Sequence, residues 1–285
     1  MSETIISLTT IPPRINTIAL TLQSLLDQEA KINRIVLCIP RRYRRTDLGE
    51  ISIPDLPAGI EVLRCDHDYG PATKVLPVIK EYRGSDARII YCDDDRIYHP
   101  DWAANLLQKS DENNECCIAD DGEKIEVTAL NSVRNTTRYR VLKAATFGLY
   151  GRRLRKVIRG LDPGIGWIDI AKGYGGVLVR PEFIPETAFD IPDTLWVVDD
   201  IWLSGQLALN NVKIIKATRV PNSSKREVAD VQPLFQLVHE DLNRNNANLA
   251  GVRYFQETSG IWTDREIRAD HILASASVPG RRSGK

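Results

Sequence analysis

The chain has 285 residues, 42% of them hydrophobic and 27% charged, with 38 basic side chains balanced by 38 acidic ones. That composition is ordinary for a folded globular protein, and a net charge of zero gives no global attraction to nucleic acid, so no nucleic-acid partner is expected. No apolar run approaches the roughly 20 residues of a spanning helix, and Met1-Ser2-Glu3-Thr4 does not read as a signal peptide, so a cytoplasmic location is the expectation.

The first apolar run is Thr4-Ile5-Ile6-Ser7-Leu8, followed by a helical pattern from Asn16 to Gln28 with Ile18, Leu22, Leu25 and Leu26 on one face. Two further runs, Arg34-Ile35-Val36-Leu37-Cys38-Ile39 and Ile60-Glu61-Val62-Leu63-Arg64-Cys65, read as strands. A second helical pattern spans Thr73 to Tyr82, with Val75, Leu76, Val78 and Ile79 apolar, and a fourth strand covers Arg88 to Cys92. Strands alternating with helices at this interval predict βαβ units and a mainly parallel sheet flanked by helices. Ligands of such sheets bind beyond the carboxyl ends of the strands. Further on, Ile118 and Ile125-Glu126-Val127 are candidate strands, and Gly176-Val177-Leu178-Val179 is another, closed by Pro181. Asp199 to Asn210 reads as a helix with Trp202, Leu203 and Leu207 inward. No linker divides the chain, so residues 1–275 read as one α/β domain with a C-terminal elaboration, and 276–285 as a disordered basic tail. Cys38, Cys65 and Cys92 lie in apolar runs, and the five cysteines form no CxxC pair. They read as reduced and structural.

Chemistry concentrates where these elements end. Asp93, Asp94 and Asp95 follow the fourth strand directly, and three adjacent carboxylates repel one another unless a cation relieves them. Mg²⁺ and Mn²⁺ take oxygen ligands, commonly one or two carboxylates plus phosphate oxygens of a substrate. A solvated acidic turn is the alternative. After the first strand, Thr9-Thr10-Ile11-Pro12-Pro13-Arg14 is a rigid turn with two hydroxyls and an arginine, suited to a base and its phosphates. After the third, Asp68-Tyr69-Gly70-Pro71-Ala72-Thr73-Lys74 places Lys74 at a helix start, where anions are attracted; helix capping is the plainer reading. Gly173-Tyr174-Gly175-Gly176 permits a close backbone approach or simply makes a tight turn. Asp199 and Asp200 open a helix, where the dipole stabilises carboxylates, and one facing a cleft can accept a proton. His239 is a late candidate metal ligand or a surface histidine.

Taken in order, Leu8 to Arg14, Asp68 to Lys74, Asp93-Asp94-Asp95, Gly173 to Gly176 and Asp199-Asp200-Ile201-Trp202-Leu203-Ser204-Gly205 resemble a bacterial GT-A-fold glycosyltransferase of polysaccharide or glycoconjugate biosynthesis. The resemblance runs from about residue 5 to 210. It implies a Rossmann-like GT-A domain with a nucleotide-binding half, about 1–100, and an acceptor and catalytic half, about 101–275. It also implies a UDP- or GDP-type sugar donor and a glycan or lipid-linked acceptor. Asp93 and Asp95 match the outer acids of the DxD motif that hold Mn²⁺ or Mg²⁺, and Asp94 a ribose contact. Thr9, Arg14, Asp68 and Lys74 match loops around the nucleotide, and Gly175 and Gly176 the strand beneath the donor sugar. Asp200 matches the general base of inverting members. Asp199 stands where a glutamate is often seen, and Asp199 and Trp202 fall on the acceptor side. His239 would be the metal-binding histidine of some members.

Between Arg134 and Arg159 the chain is basic, which suits an anionic acceptor or peripheral contact with an anionic membrane surface, or else an ordinary solvated face. A haloacid-dehalogenase-like phosphohydrolase would carry its acids in a DxDxT pattern after the first strand. A nucleotidyltransferase would carry a glycine-rich basic loop there, whereas Thr9 to Arg14 has no glycine. A non-catalytic nucleotide-binding module would not need the Asp199-Asp200 pair.

Overall fold

A computed structural model describes residues 2–44, 52–128, 164–218, 222–225 and 244–263. Strands β1 (Thr4–Thr9), β2 (Arg34–Pro40), β3 (Ile60–Cys65) and β4 (Arg88–Tyr91) form where the four evenly spaced apolar runs lie. They pair parallel in the order β3-β2-β1-β4, in register from Ile5 opposite Arg34 and Ile89. β1 is buried on both faces, which explains its unbroken apolar run: Ile5 packs on one side of the sheet and Ile6 on the other.

Beyond β4 the eight-stranded sheet continues through β10 (Val177–Val179), β6 (Cys117–Ala119), β11 (Ile214–Lys216) and β8 (Gly166–Ile168). β10 runs antiparallel to both β4 and β6, and β8 antiparallel to β11, so the sheet is mixed with parallel pairing dominant. Two small ribbons flank it, β5 (Arg96–Tyr98) with β12 (Ser223–Lys225) and β7 (Gly122–Glu123) with β9 (Ile170–Ala171).

Helices cover both faces. On one side lie α1 (Ala19–Leu26) and α3 (Trp102–Glu112), burying Leu22, Leu25, Trp102 and Leu106 against Ile6, Leu37, Ile90 and Leu178. On the other lie α2 (Leu76–Glu81), α4 (Asp199–Leu209) and α5 (Arg244–Ser259), burying Ile79, Ile201, Leu207 and Phe255 against Ile5, Val36, Ile89 and Val177. The alternation of neighbours such as Ile89 and Ile90 between the two layers follows from the period-two pleat.

One expected strand is absent. Residues 125–128 are helical, with Val127 N–H and Thr128 N–H both donating to the carbonyl of Lys124. The β-branched Ile125 and Val127 satisfy a core position from a helical turn as well as from a strand, and both are buried. The two sequence helices are also shorter than their patterns, because 3-10 turns at Pro12–Thr17 and Gly70–Lys74 take their first residues. Both turns begin at or beside proline, whose fixed φ suits a first turn.

Candidate functional site

The order of the sheet reverses between β1 and β4: β2 and β3 lie to one side of β1, β4 and the rest to the other. That switch point is where the carboxyl ends of an open parallel sheet diverge into a crevice. The loops after β1 and β4 meet there, and they carry Thr9 to Arg14 and Asp93 to Asp95.

Within the triplet the three acids have different surroundings. Asp94 is 5% exposed; its Oδ1 accepts from Arg14 Nη1 at 2.9 Å and its Oδ2 from Thr10 Oγ1 at 2.5 Å. Burial would lower the Arg14 guanidinium, but Asp94 and Asp95 outweigh it and hold the group above its ordinary value. Asp93 and Asp95 instead present side chains that are 34% and 28% exposed. Burial, then repulsion from Asp93 and Asp94, pushes the Asp95 carboxyl up.

The sequence places Lys74 at a helix start, facing an anion. In the structure it closes the 3-10 turn and turns inward, 3% exposed. Its Nζ donates to Asp93 Oδ1 at 2.6 Å and lies 2.8 Å from Asp199 Oδ2 in an ion pair without hydrogen-bond alignment. Burial alone would depress this ammonium; Asp199, Asp93 and Asp200 together raise it well above its usual value. Asp199 is 4% exposed, and Asp200 Oδ1 accepts from Gly173 N–H at 2.8 Å. A Cβ on Gly173 would stand 2.4 Å from Lys74 Nζ and 3.3 Å from Asp200 Oδ1, so glycine there lets the β9–β10 turn close over the acids. The triplet, Lys74 and the acid pair of α4 are thus one connected cluster.

Gly175 and Gly176 face the other way. Trp102 Nε1 donates to the Gly175 carbonyl at 2.7 Å, and Gly176 has φ +101° with Trp102 filling the space where a Cβ would sit. Thr9 donates to the Cys38 carbonyl at 2.7 Å, so its hydroxyl ties β1 to β2. Asp68 shapes its own loop: its carboxylate accepts from Arg44 N–H at 2.7 Å and Gly70 N–H at 2.8 Å. Trp202, named on the acceptor side, is a core side chain, 3% exposed, its indole N–H donating to the Ala188 carbonyl at 2.8 Å. His239, the basic stretch 134–159 and the tail 276–285 lie outside the described residues.

A second acidic pair, which sequence reasoning passed over, ends β6. Asp120 is fully buried, accepts from Asn222 N–H at 2.7 Å and Thr218 Oγ1 at 3.0 Å, and burial pushes its carboxyl up to about 6. Asp121 accepts from the Tyr174 hydroxyl and lies 3.3 Å from Lys216 Nζ. Beside it Lys172 Nζ donates to Glu123 Oε2 at 2.6 Å, and Arg96 stacks over the Tyr174 ring at 4.3 Å. The signal was an apolar run, Cys117-Ile118-Ala119, followed at once by Asp120-Asp121, the same pattern as at β4.

Two partly exposed carboxylates at a switch point, one of them raised by repulsion, are a donor set that a divalent cation fits. Among the described residues no group of three or more His, Cys, Asp or Glu side chains is placed to hold an ion alone. An ion there would complete its shell with oxygens of a ligand and water. No helix among the described residues is long and apolar enough to cross a membrane.

No protein-family model and no curated protein sequence matches the chain. Among solved structures, that of S. aureus TarS 1-349 is similar at a TM-score of 0.43 and 11% identity, covering 78% of this chain and 60% of that one. The structure of S. aureus TarS is similar at a TM-score of 0.42 and 12% identity, covering 78% of this chain and 36% of that one. The chain therefore spans less than two thirds of either neighbour, and likeness at this level does not bear on activity.

Proposed function

We propose that the chain is a GT-A-type glycosyltransferase that moves a sugar from a nucleoside-diphosphate sugar of UDP or GDP type to a glycan or lipid-linked acceptor. The observation that supports this best is the joining of Asp93, Lys74, Asp199 and Asp200 across the turn at Gly173, beside Asp95 at the switch point. A phosphate-handling site needs acids for a cation and a separate carboxylate for proton transfer, and this cluster supplies both on rigid elements.

In this reading Asp93 and Asp95 hold Mn²⁺ or Mg²⁺ against the donor diphosphate. A bound divalent cation supplies neutralisation of the charge that develops on the leaving diphosphate. Arg14 fixes Asp94 so that its two neighbours project outward. Asp200, oriented by Gly173 N–H at the N-terminus of α4, takes the proton of the acceptor hydroxyl as it attacks the anomeric carbon, which inverts the configuration. Lys74 keeps Asp199 and Asp93 charged at close range without itself meeting the donor.

The test is thermal melting of the chain with UDP, GDP and a panel of their sugars, with and without Mn²⁺. A ligand that binds only the folded state at ~100 times its Kd adds about 2.7 kcal/mol of stability. Metal-dependent stabilisation by at least one of them is expected. The absence of any shift, with or without metal, removes the donor-site reading. Asp200→Asn should keep the shift and lose transfer, and retained turnover would remove Asp200 as the base.

A further inference from the structure

Past the acid cluster, the far end of α4 and the last strand of the sheet enclose a cavity of about 490 Å³. Trp167, Asp169, Ser204, Asn211, Lys213 and Trp262 contribute to its lining. The volume falls in the range of small-molecule sites, roughly 300–1,000 Å³. Its lining is mixed, with two indoles among short polar groups and one lysine.

Two observations set this cavity apart from an ordinary surface depression. First, Trp167 stands on the edge strand β8 with 53% of its surface exposed, and Lys213 Nζ lies 5.2 Å from its ring centroid. Second, Asn211 and Trp262, at φ +57° and +62°, are the non-glycine residues with positive φ among the described residues, and both line it. Asparagine tolerates that region; for a tryptophan it is an outlier that surrounding contacts must hold. They do: Gln256 Nε2 donates to the Trp262 carbonyl at 2.9 Å, and the Trp262 ring packs edge-on against Phe255 at 5.5 Å. Strained backbone kept in place at a pocket wall is the usual mark of a functional position.

We propose that this cavity binds a saccharide, with a pyranose ring lying on Trp167 and its hydroxyls meeting Lys213, Asn211 and Asp169. A pyranose has an apolar C–H face and a rim of hydroxyls that both donate and accept. That matches an indole face beside an ammonium, an amide and a carboxylate. A purely apolar ligand would leave those polar groups unpaired at a cost, and a polyanion would find one lysine opposed by Asp169.

The cavity is also placed to serve the transfer site. Ser204 and Ala208 lie one and two helical turns beyond Asp200 on α4, so the cavity wall at Ala208 is about 12 Å along the axis from the carboxylate. An oligosaccharide seated there reaches back toward Asp200. Saccharide binding stands on the lining; that the bound saccharide is the acceptor rests on the glycosyl-transfer reading above.

The experiment is saturation-transfer NMR on the full chain with trisaccharides of glucose, galactose and N-acetylglucosamine, with no donor present. Saturable binding of at least one is expected, weakened by about tenfold or more in Trp167→Ala, less in Lys213→Ala, and unchanged in Asp200→Asn. Because Trp167 is exposed, its variant should melt with the wild type. No binding by any trisaccharide, or equal binding by Trp167→Ala and Lys213→Ala, overturns the proposal. Binding without transfer from any donor leaves the cavity standing and removes the transfer reading. Transfer whose acceptor KM is untouched by Trp167→Ala overturns the cavity's role.

Discussion

Lys74 and Asp199 form a buried ion pair, 2.8 Å apart with both side chains 4% exposed, and the same ammonium reaches Asp93 at 2.6 Å. A buried charge left without its partner is far costlier than the pair is favourable. Lys74→Met should therefore lower stability by roughly 3–5 kcal/mol. The double variant Lys74→Met with Asp199→Asn should recover part of that loss, because it removes both charges together. Urea unfolding of the three proteins measures it. Equal stability of Lys74→Met and the wild type would show that Asp199 finds another partner.

The three acids after β4 should separate by function. Asp93→Asn and Asp95→Asn keep the fold, since both side chains are partly exposed, and should abolish stabilisation by Mn²⁺ with a nucleoside diphosphate. Asp94→Asn withdraws the buried counter-charge of Arg14 and should cost roughly 3 kcal/mol in the absence of any ligand. Melting curves with and without Mn²⁺ distinguish these outcomes. A metal effect lost only in Asp94→Asn would reverse the assignment.

Asp120 gives a pH signature. Its folded carboxyl is raised to about 6 by burial, above the roughly 3.9 of an exposed aspartate. The folded state then binds the proton more tightly than the unfolded one. The stabilising contribution is complete below about pH 4 and is lost as pH rises through about 6. Asp120→Asn removes this dependence while keeping an oxygen for Thr218 and Asn222. The stability of the variant relative to wild type should climb by on the order of 2–3 kcal/mol between pH 4 and 7. A difference that stays flat or falls with pH would mean the donors around Asp120 hold it ionised.

How far the sequence discloses this architecture depends on the range of the interactions. The parallel half was legible because β1, β2, β3 and β4 are buried on both or most of their faces and recur at a βαβ interval. The antiparallel half was not, because β6, β8, β10 and β11 are three residues each and carry almost no period. The acid clusters were visible as residues, yet the inward turn of Lys74 was not. It depends on Gly173, about a hundred residues away in sequence, leaving room for the ammonium. Likewise the pairing of Arg14 with Asp94 chooses which acids face outward, and that choice is made by contact between two loops rather than by spacing.

The glycines of the β9–β10 turn should fail in two different ways. Gly176 has φ +101°, and an added Cβ would stand 2.2 Å from Trp102 Cζ2, so Gly176→Ala meets both backbone strain and a clash in a fully buried indole. Strain and overpacking each cost about 1–3 kcal/mol, and the sum should show as a general loss of stability. Gly173 is different. Its φ is not in the left-handed region, and the atoms its Cβ would meet are the far ends of Lys74 and Asp200. Gly173→Ala should fold, displace the Lys74 ammonium from Asp93 and Asp199, and turn the Asp200 carboxylate. Its melting temperature should fall less than that of Gly176→Ala while transfer is lost almost entirely. If Gly173→Ala transferred sugar at the wild-type rate, the linked arrangement of Lys74 and Asp200 beneath the turn would have no part in the reaction.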